Sequence, residues 1–179
     1  MGAGRGAGLM GKFLAALIVV CAIAAGAGVY YTQVYGFYET VEATGADVVL
    51  TTSAGEEERL PHRAFEGIDA SSSPIRYRAC FVTDRSLDAL SADYVRYPQA
   101  EPLQAPGWFD CFDAREIGEA LEAGEARAFL SVENVEYGID RVAAVLPDGR
   151  GFVWHQINRC GEVVFDGRPA PEGCPEPPA

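Results

Sequence analysis

Only two histidines occur, His62 and His155, and His155 lies in the run Gly151-Phe152-Val153-Trp154-His155-Gln156-Ile157, directly followed by Asn158 and Arg159. With these we group Trp108, Asp110, Tyr137, Asp140, Arg141 and Trp154 as candidate ligand or partner contacts. The set combines an imidazole, guanidinium groups, carboxylates and large amphipathic rings, the side chains that most often anchor a bound molecule. His155 could act as a pH-sensitive contact or an acid–base group. On an alternating strand it shares a face with Val153 and Ile157, which favours a hydrogen-bonded core histidine instead.

Other chemistries lack their residues. The sequence contains no Gly-x-Ser-x-Gly elbow, no phosphate-binding Gly-x-x-x-x-Gly-Lys-Ser/Thr loop, no Cys-x-x-Cys and no His-x-x-x-His. Its methionines, Met1 and Met10, are both N-terminal. No catalytic residue, metal site or cofactor is therefore assigned. Carboxylate pairs such as Asp110 with Asp113, or Glu133 with Glu136, read as solvated surface in a chain with 26 acidic residues. Arg76 and Arg78 are expected to pair with some of those acids.

Cys21 lies in the apolar run and reads as a membrane-buried apolar thiol, which leaves Cys80, Cys111, Cys160 and Cys174. Four cysteines allow three pairings; Cys80 with Cys111 and Cys160 with Cys174 are preferred. The second pair would hold a proline-rich tail that has little else to fix it, and closing so short a loop is worth about 3 kcal/mol in the chain-entropy model. Disulfides imply an oxidising compartment.

The elements that must position these groups form an α+β pattern. Residues 47–52 predict a strand, 53–59 a loop, and 76–83 a half-buried strand with Ile75, Tyr77, Ala79 and Phe81 on one face. Residues 98–107 read as an extended connector. Asp113-Ala114-Arg115-Glu116 has the form of a capping box and opens a helix with Ile117, Ala120 and Leu121 on one face and Gly124 as its stop. A strand at 128–132 follows. Residues 142–146 and 152–157 flank Asp148-Gly149, a hairpin signal. Residues 161–165 predict a further short strand, and the tail from 168 to 179 is extended. The expected architecture is an N-terminal transmembrane helix followed by a mostly antiparallel β-sheet domain with one packed helix.

Charge separates the chain into two parts. Arg5 and Lys12 precede the apolar run and every acidic residue lies at Glu39 or beyond, so the net charge of −12 becomes −14 downstream. Such a surface repels nucleic acid and anionic headgroups, and no nucleic-acid partner is expected. Residues 13–31 carry no charge and as a helix would cross roughly 30 Å of hydrocarbon. Bases before the run and Tyr30, Tyr31, Tyr35, Phe37 and Tyr38 after it predict a retained anchor with its N-terminus in the cytoplasm. A cleaved signal is the rival reading, since Ala25-Gly26-Ala27 offers a cleavage site. A lipoprotein is disfavoured because Val20 before Cys21 is large. The expected division is a cytoplasmic tip at 1–12, the span at 13–31, a juxtamembrane linker at 32–46, a folded domain at 47–167 and the tail at 168–179.

The segments SSPIRYRACF, APGWFDCFDA, EYGIDRV and DGRGFVWHQINRCGEVVFDG, with the apolar N-terminus, resemble a family of small bacterial single-pass membrane-anchored proteins of unknown function. The resemblance spans nearly the whole chain and implies an inner-membrane location with the C-terminal domain in the periplasm; it brings no catalytic residues. The preferred function is a noncatalytic module that binds an envelope protein or helps assemble a complex. A small-molecule-sensing ectodomain is the alternative, and a thiol- or metal-dependent enzyme a more distant one.

Overall fold

The computed structural model describes residues 4–178, side chains from Met10 onward. They fall into two compact units divided between Phe37 and Tyr38. The first is helix α1, Gly4–Tyr31, ending in a π-helical turn, Thr32–Gly36, where the Thr32 hydroxyl donates back to the Gly28 and Val29 carbonyls at 3.1 and 3.0 Å. Met10–Gly36 is long and apolar enough to cross a membrane by length and composition. Residues 1–3 of the expected tip lie outside the described residues, and the backbone is helical from Gly4 on.

The second unit is α+β. In chain order it holds β1 (Glu39–Val41), β2 (Val49–Thr51), β3 (Glu57–Arg59), β4 (Arg63–Asp69), β5 (Arg78–Val82), α2 (Leu87–Asp93), α3 (Ala114–Glu122), β6 (Arg127–Glu136), β7 (Ile139–Val145), β8 (Arg150–Ile157) and α4 (Arg159–Phe165). Six strands form one antiparallel sheet in the order β1-β4-β5-β8-β7-β6, and β2 pairs with β3 in a separate hairpin. β1 lies within the stretch expected as a linker, and β3 within the expected loop.

Both faces of the large sheet are covered, which is why β7 and β8 are buried nearly throughout. On one face Phe152, Trp154, Val142 and Ala144 pack with Phe112, Ile117 and Ala120 of the α3 region. On the other, Val153, Ala143, Val145, Tyr77 and Phe81 pack with Leu50 of β2 and Leu90 of α2. Alternation along β8 therefore divides as its residue pattern requires.

α3 begins where the capping box predicts: the Asp113 carboxylate accepts from Arg115 N and Glu116 N at 2.9 and 3.1 Å. The β7–β8 turn uses Gly149 at φ +87°, and a Cβ there would collide with the Thr83 carbonyl. Two disulfides brace the domain, Cys80–Cys111 and Cys160–Cys174, with Cα atoms 6.3 and 5.7 Å apart.

Two expectations are corrected. Residues 161–165 are helical, as part of α4, because the Asn158 side chain accepts from Cys160 N and Gly161 N at 3.0 and 3.1 Å and so opens a helix despite Val163 and Val164. Among the described residues Arg78 pairs with no carboxylate. It is 4 % exposed and donates to the carbonyls of Ile75, Tyr77, Leu103 and Gln104, pinning the connector to β5. Burial lowers its pKa to about 10.

Candidate functional site

The register of β7 against β8 brings the candidates together: Asp140 faces Gln156, Arg141 faces His155, and Ile139 faces Ile157. Asn158 and Arg159 follow at the start of α4. Because successive strand residues point to opposite faces, Asp140 and Arg141 enter different surroundings.

Asp140 is 5 % exposed and fully engaged. Its Oδ1 accepts from Asn134 N at 2.9 Å and Asn158 Nδ2 at 2.7 Å, and its Oδ2 from the Tyr97 hydroxyl at 3.0 Å. Asn134 Oδ1 accepts from Asn158 Nδ2 and from Gly138 N, closing the β6–β7 turn. Burial and the Asp140 charge both raise the Tyr97 pKa, so the phenol remains a donor. This network ties the β6–β7 turn, α4 and Tyr97, the residue before the connector, into one piece; every partner is internal, so it is structural.

Arg141 and His155 form the second cluster. Arg141 Nε donates to His155 Nε2 at 3.0 Å, and His155 Nδ1 donates to the Pro74 carbonyl at 2.7 Å, which fixes the imidazole as its Nδ1–H tautomer. The Tyr77 ring stacks on His155 at 4.8 Å, and the Arg141 guanidinium lies 4.5 Å from the Tyr77 ring centre. His155 is 7 % exposed, and burial pushes its pKa down to about 4. Arg141 further disfavours the imidazolium, while the Pro74 bond works the other way. At neutral pH the ring is uncharged and serves as the acceptor that orients Arg141. A recess of about 400 Å³ opens over the pair, walled by Asp69, the serines at 71, 72 and 73, Pro74 and Glu136.

Beside this recess lies an apolar groove of about 710 Å³ lined by Ile75, Tyr137, Ile139, Ile157, Val164, Phe165, Pro177 and Pro178, sharing Ser73, Pro74 and Glu136 with it. Ile157 and Phe165 are 37 % and 54 % exposed. Its far wall is the proline-rich segment, held by Cys160–Cys174, by Tyr137 Oη donating to the Pro175 carbonyl at 3.1 Å, and by Arg159 donating to the Glu172 carbonyl at 3.1 Å. The groove floor depends on Gly138 and Gly161, whose backbones meet so closely that a Cβ on Gly161 would strike the Gly138 carbonyl.

Not all candidates join this face. Trp154 is 0 % exposed, and its indole donates to Gln156 Oε1 at 3.1 Å; it is core and cannot touch a partner. Trp108 sits edge-on to Tyr38, at 5.8 Å, and Asp110 is exposed on the loop of the Cys80–Cys111 bridge. Tyr77, Tyr97, Asn134, Ile157 and Phe165 were not singled out by sequence. Tyr77 had a signal, its place on the Ile75-Tyr77-Ala79-Phe81 face, whereas Tyr97 meets Asp140 across 43 positions and leaves none.

Among the described residues no group of three or more His, Cys, Asp or Glu is placed to hold a metal ion. The four cysteines of the second unit are all in disulfides. The fold and this face define a disulfide-braced α+β domain with a mostly antiparallel sheet and an apolar groove at one end. By sequence the chain belongs to the family of unknown function DUF6446, whose model matches residues 48–175. No curated protein and no solved structure matches it.

Proposed function

We propose that this chain is a membrane-anchored, noncatalytic binding module of the bacterial inner membrane. α1 is its retained anchor, N-terminus inside, and the folded domain works in the periplasm, where it holds an apolar segment of an envelope protein in the groove beside α4. The carrying observation is the groove itself: Ile157 and Phe165 stay exposed side by side on it, whereas Trp108, the other exposed large apolar side chain among the described residues of the second unit, stands apart from the groove, and such patches mark interaction surfaces. Two disulfides support an oxidising compartment, and the apolar Met10–Gly36 supports the anchor.

The test is a photocrosslinking amino acid placed at Phe165 of the full chain in its native cells. We expect a crosslinked product of one discrete mass, lost when Ile157→Asp is added and absent when the label sits at Glu57 on exposed β3. Labelling at Phe165 no stronger than at Glu57 would remove the reading.

A further inference from the structure

We infer that the recess over Arg141 is a carboxylate site that receives the free carboxyl end of the apolar partner segment seated in the neighbouring groove. The inference rests on the binding-module reading and adds the chemistry by which the partner is recognised.

The guanidinium is the first argument. Its Nε is committed to His155 and its plane to the Tyr77 ring, so its orientation is fixed before any ligand arrives. Its two Nη groups have no hydrogen bond or ion pair within the described residues. Arg63, Arg85, Arg115, Arg127, Arg150 and Arg168 each pair with a carboxylate, in a chain with a large excess of acid. Arg141 has Asp69 and Glu136 in the walls of its own recess and pairs with neither. A pre-oriented, half-buried fork with free Nη groups matches the two oxygens of a carboxylate.

Charge narrows the ligand class further. One guanidinium against Asp69 and Glu136 repels a dianion such as a phosphate monoester most strongly, and a single carboxylate must gain from the paired Nη bonds what those two acids oppose. The shared walls Ser73, Pro74 and Glu136 make the recess adjoin the apolar groove, so a ligand filling both joins a carboxylate to an apolar body. The serines at 71, 72 and 73 offer hydroxyls and backbone groups to peptide amides, for which a hydrocarbon chain has no use.

The experiment measures fluorescence anisotropy of dye-labelled Ala-Leu-Val-Val, with a free carboxyl end or a carboxamide end, on the full chain in nanodiscs. The free acid is expected to bind at least tenfold more tightly than the amide. Arg141→Gln should erase that preference, and Ser72→Asp, an exposed change at the rim, should weaken the acid at least fivefold and leave the amide unchanged. Equal binding of acid and amide, no binding of the acid, or a preference that survives both substitutions would overturn the site. Hexanoate competing as well as the peptide acid would overturn the peptide source in favour of a free amphiphilic carboxylate. The two readings fail separately: a Phe165 crosslink that persists in Arg141→Gln keeps the partner and removes the carboxylate. Acid-selective binding without any Phe165 crosslink does the reverse.

Discussion

Asp140 and Arg141 are adjacent on β7, yet one is closed into the fold and the other opens from it. Asp140 spends both oxygens on Tyr97, Asn134 and Asn158, so its charge is matched by internal donors and nothing remains to offer a ligand. Arg141 spends one N–H on His155, leaves both Nη groups without a hydrogen bond among the described residues, and lines a recess. A strand places neighbours on opposite faces, so one strand can hold a brace on one side and a contact on the other. Burial and conspicuous polarity alone would have ranked Asp140 first; counting its partners reverses the order.

The largest expected effect comes from removing the brace. Asp140→Ala leaves Asn134 N, Asn158 Nδ2 and the Tyr97 hydroxyl without their acceptor in a buried place, which costs about 4 kcal/mol for several lost charge-assisted bonds. Urea unfolding followed by the fluorescence of buried Trp154 reads it. A loss below about 1 kcal/mol would mean that the network does not hold the turn.

The next effect is a pH dependence. His155 has its pKa lowered from 6.5 to about 4, mainly by burial, with the charges of Arg141 and Arg78 opposing protonation and Asp69 favouring it. Below pH 6.5 the unfolded chain takes up a proton that the folded chain refuses until about pH 4. This contribution is therefore complete above pH 6.5 and is lost as pH falls through that window, by about 3 kcal/mol. Unfolding midpoints between pH 7 and 4 should show the slope, and His155→Gln should flatten it. An unchanged slope in that variant would assign the acid sensitivity to other groups.

Much of this arrangement was legible in the residues, for local reasons. The α3 cap and the Asp148-Gly149 turn are decided within four positions, and both elements stand where their signals fall. β4 carries no clean strand pattern, since it is irregular at the register shift between Arg63 and Glu66 and at the positive φ of Ala64. α4 was misread because Val163 and Val164 favour strands while its helix rests on the Asn158 cap and its brace to β7. Asn158, a candidate contact by residue type, is the cap of that helix. At the site, Arg141 and His155 stand in one candidate set by residue type, and only the β7–β8 register makes them neighbours. The bond from His155 to Pro74 spans 81 positions, a separation that no local pattern encodes. The groove was invisible for the same reason, being assembled from the β4–β5 loop, the β6–β7 turn, α4 and the proline-rich segment.

A smaller effect tests the groove side of the comparison. Gly161→Ala drives a methyl group toward the Gly138 carbonyl, with Ile157 Cγ2 and Phe165 Cε2 each 2.9 Å from it, so α4 must shift away from the turn. Overpacking of this kind costs about 2 kcal/mol. The same urea assay measures it, and the Phe165 crosslink should weaken in parallel because the groove floor moves.

The smallest effect is expected at Arg141, and it sharpens the comparison most. Arg141→Gln keeps an amide able to donate toward His155 Nε2, and it removes Nη groups that satisfy nothing inside the fold. Stability should change by less than about 1 kcal/mol, the ordinary range for a substitution that strands no buried group. A loss as large as that of Asp140→Ala would show that the guanidinium, too, is a brace, held for its stacking on Tyr77 and its bond to His155. A near-silent change in stability together with lost carboxylate selectivity would separate the two neighbours by role, the brace read in unfolding and the contact read in binding.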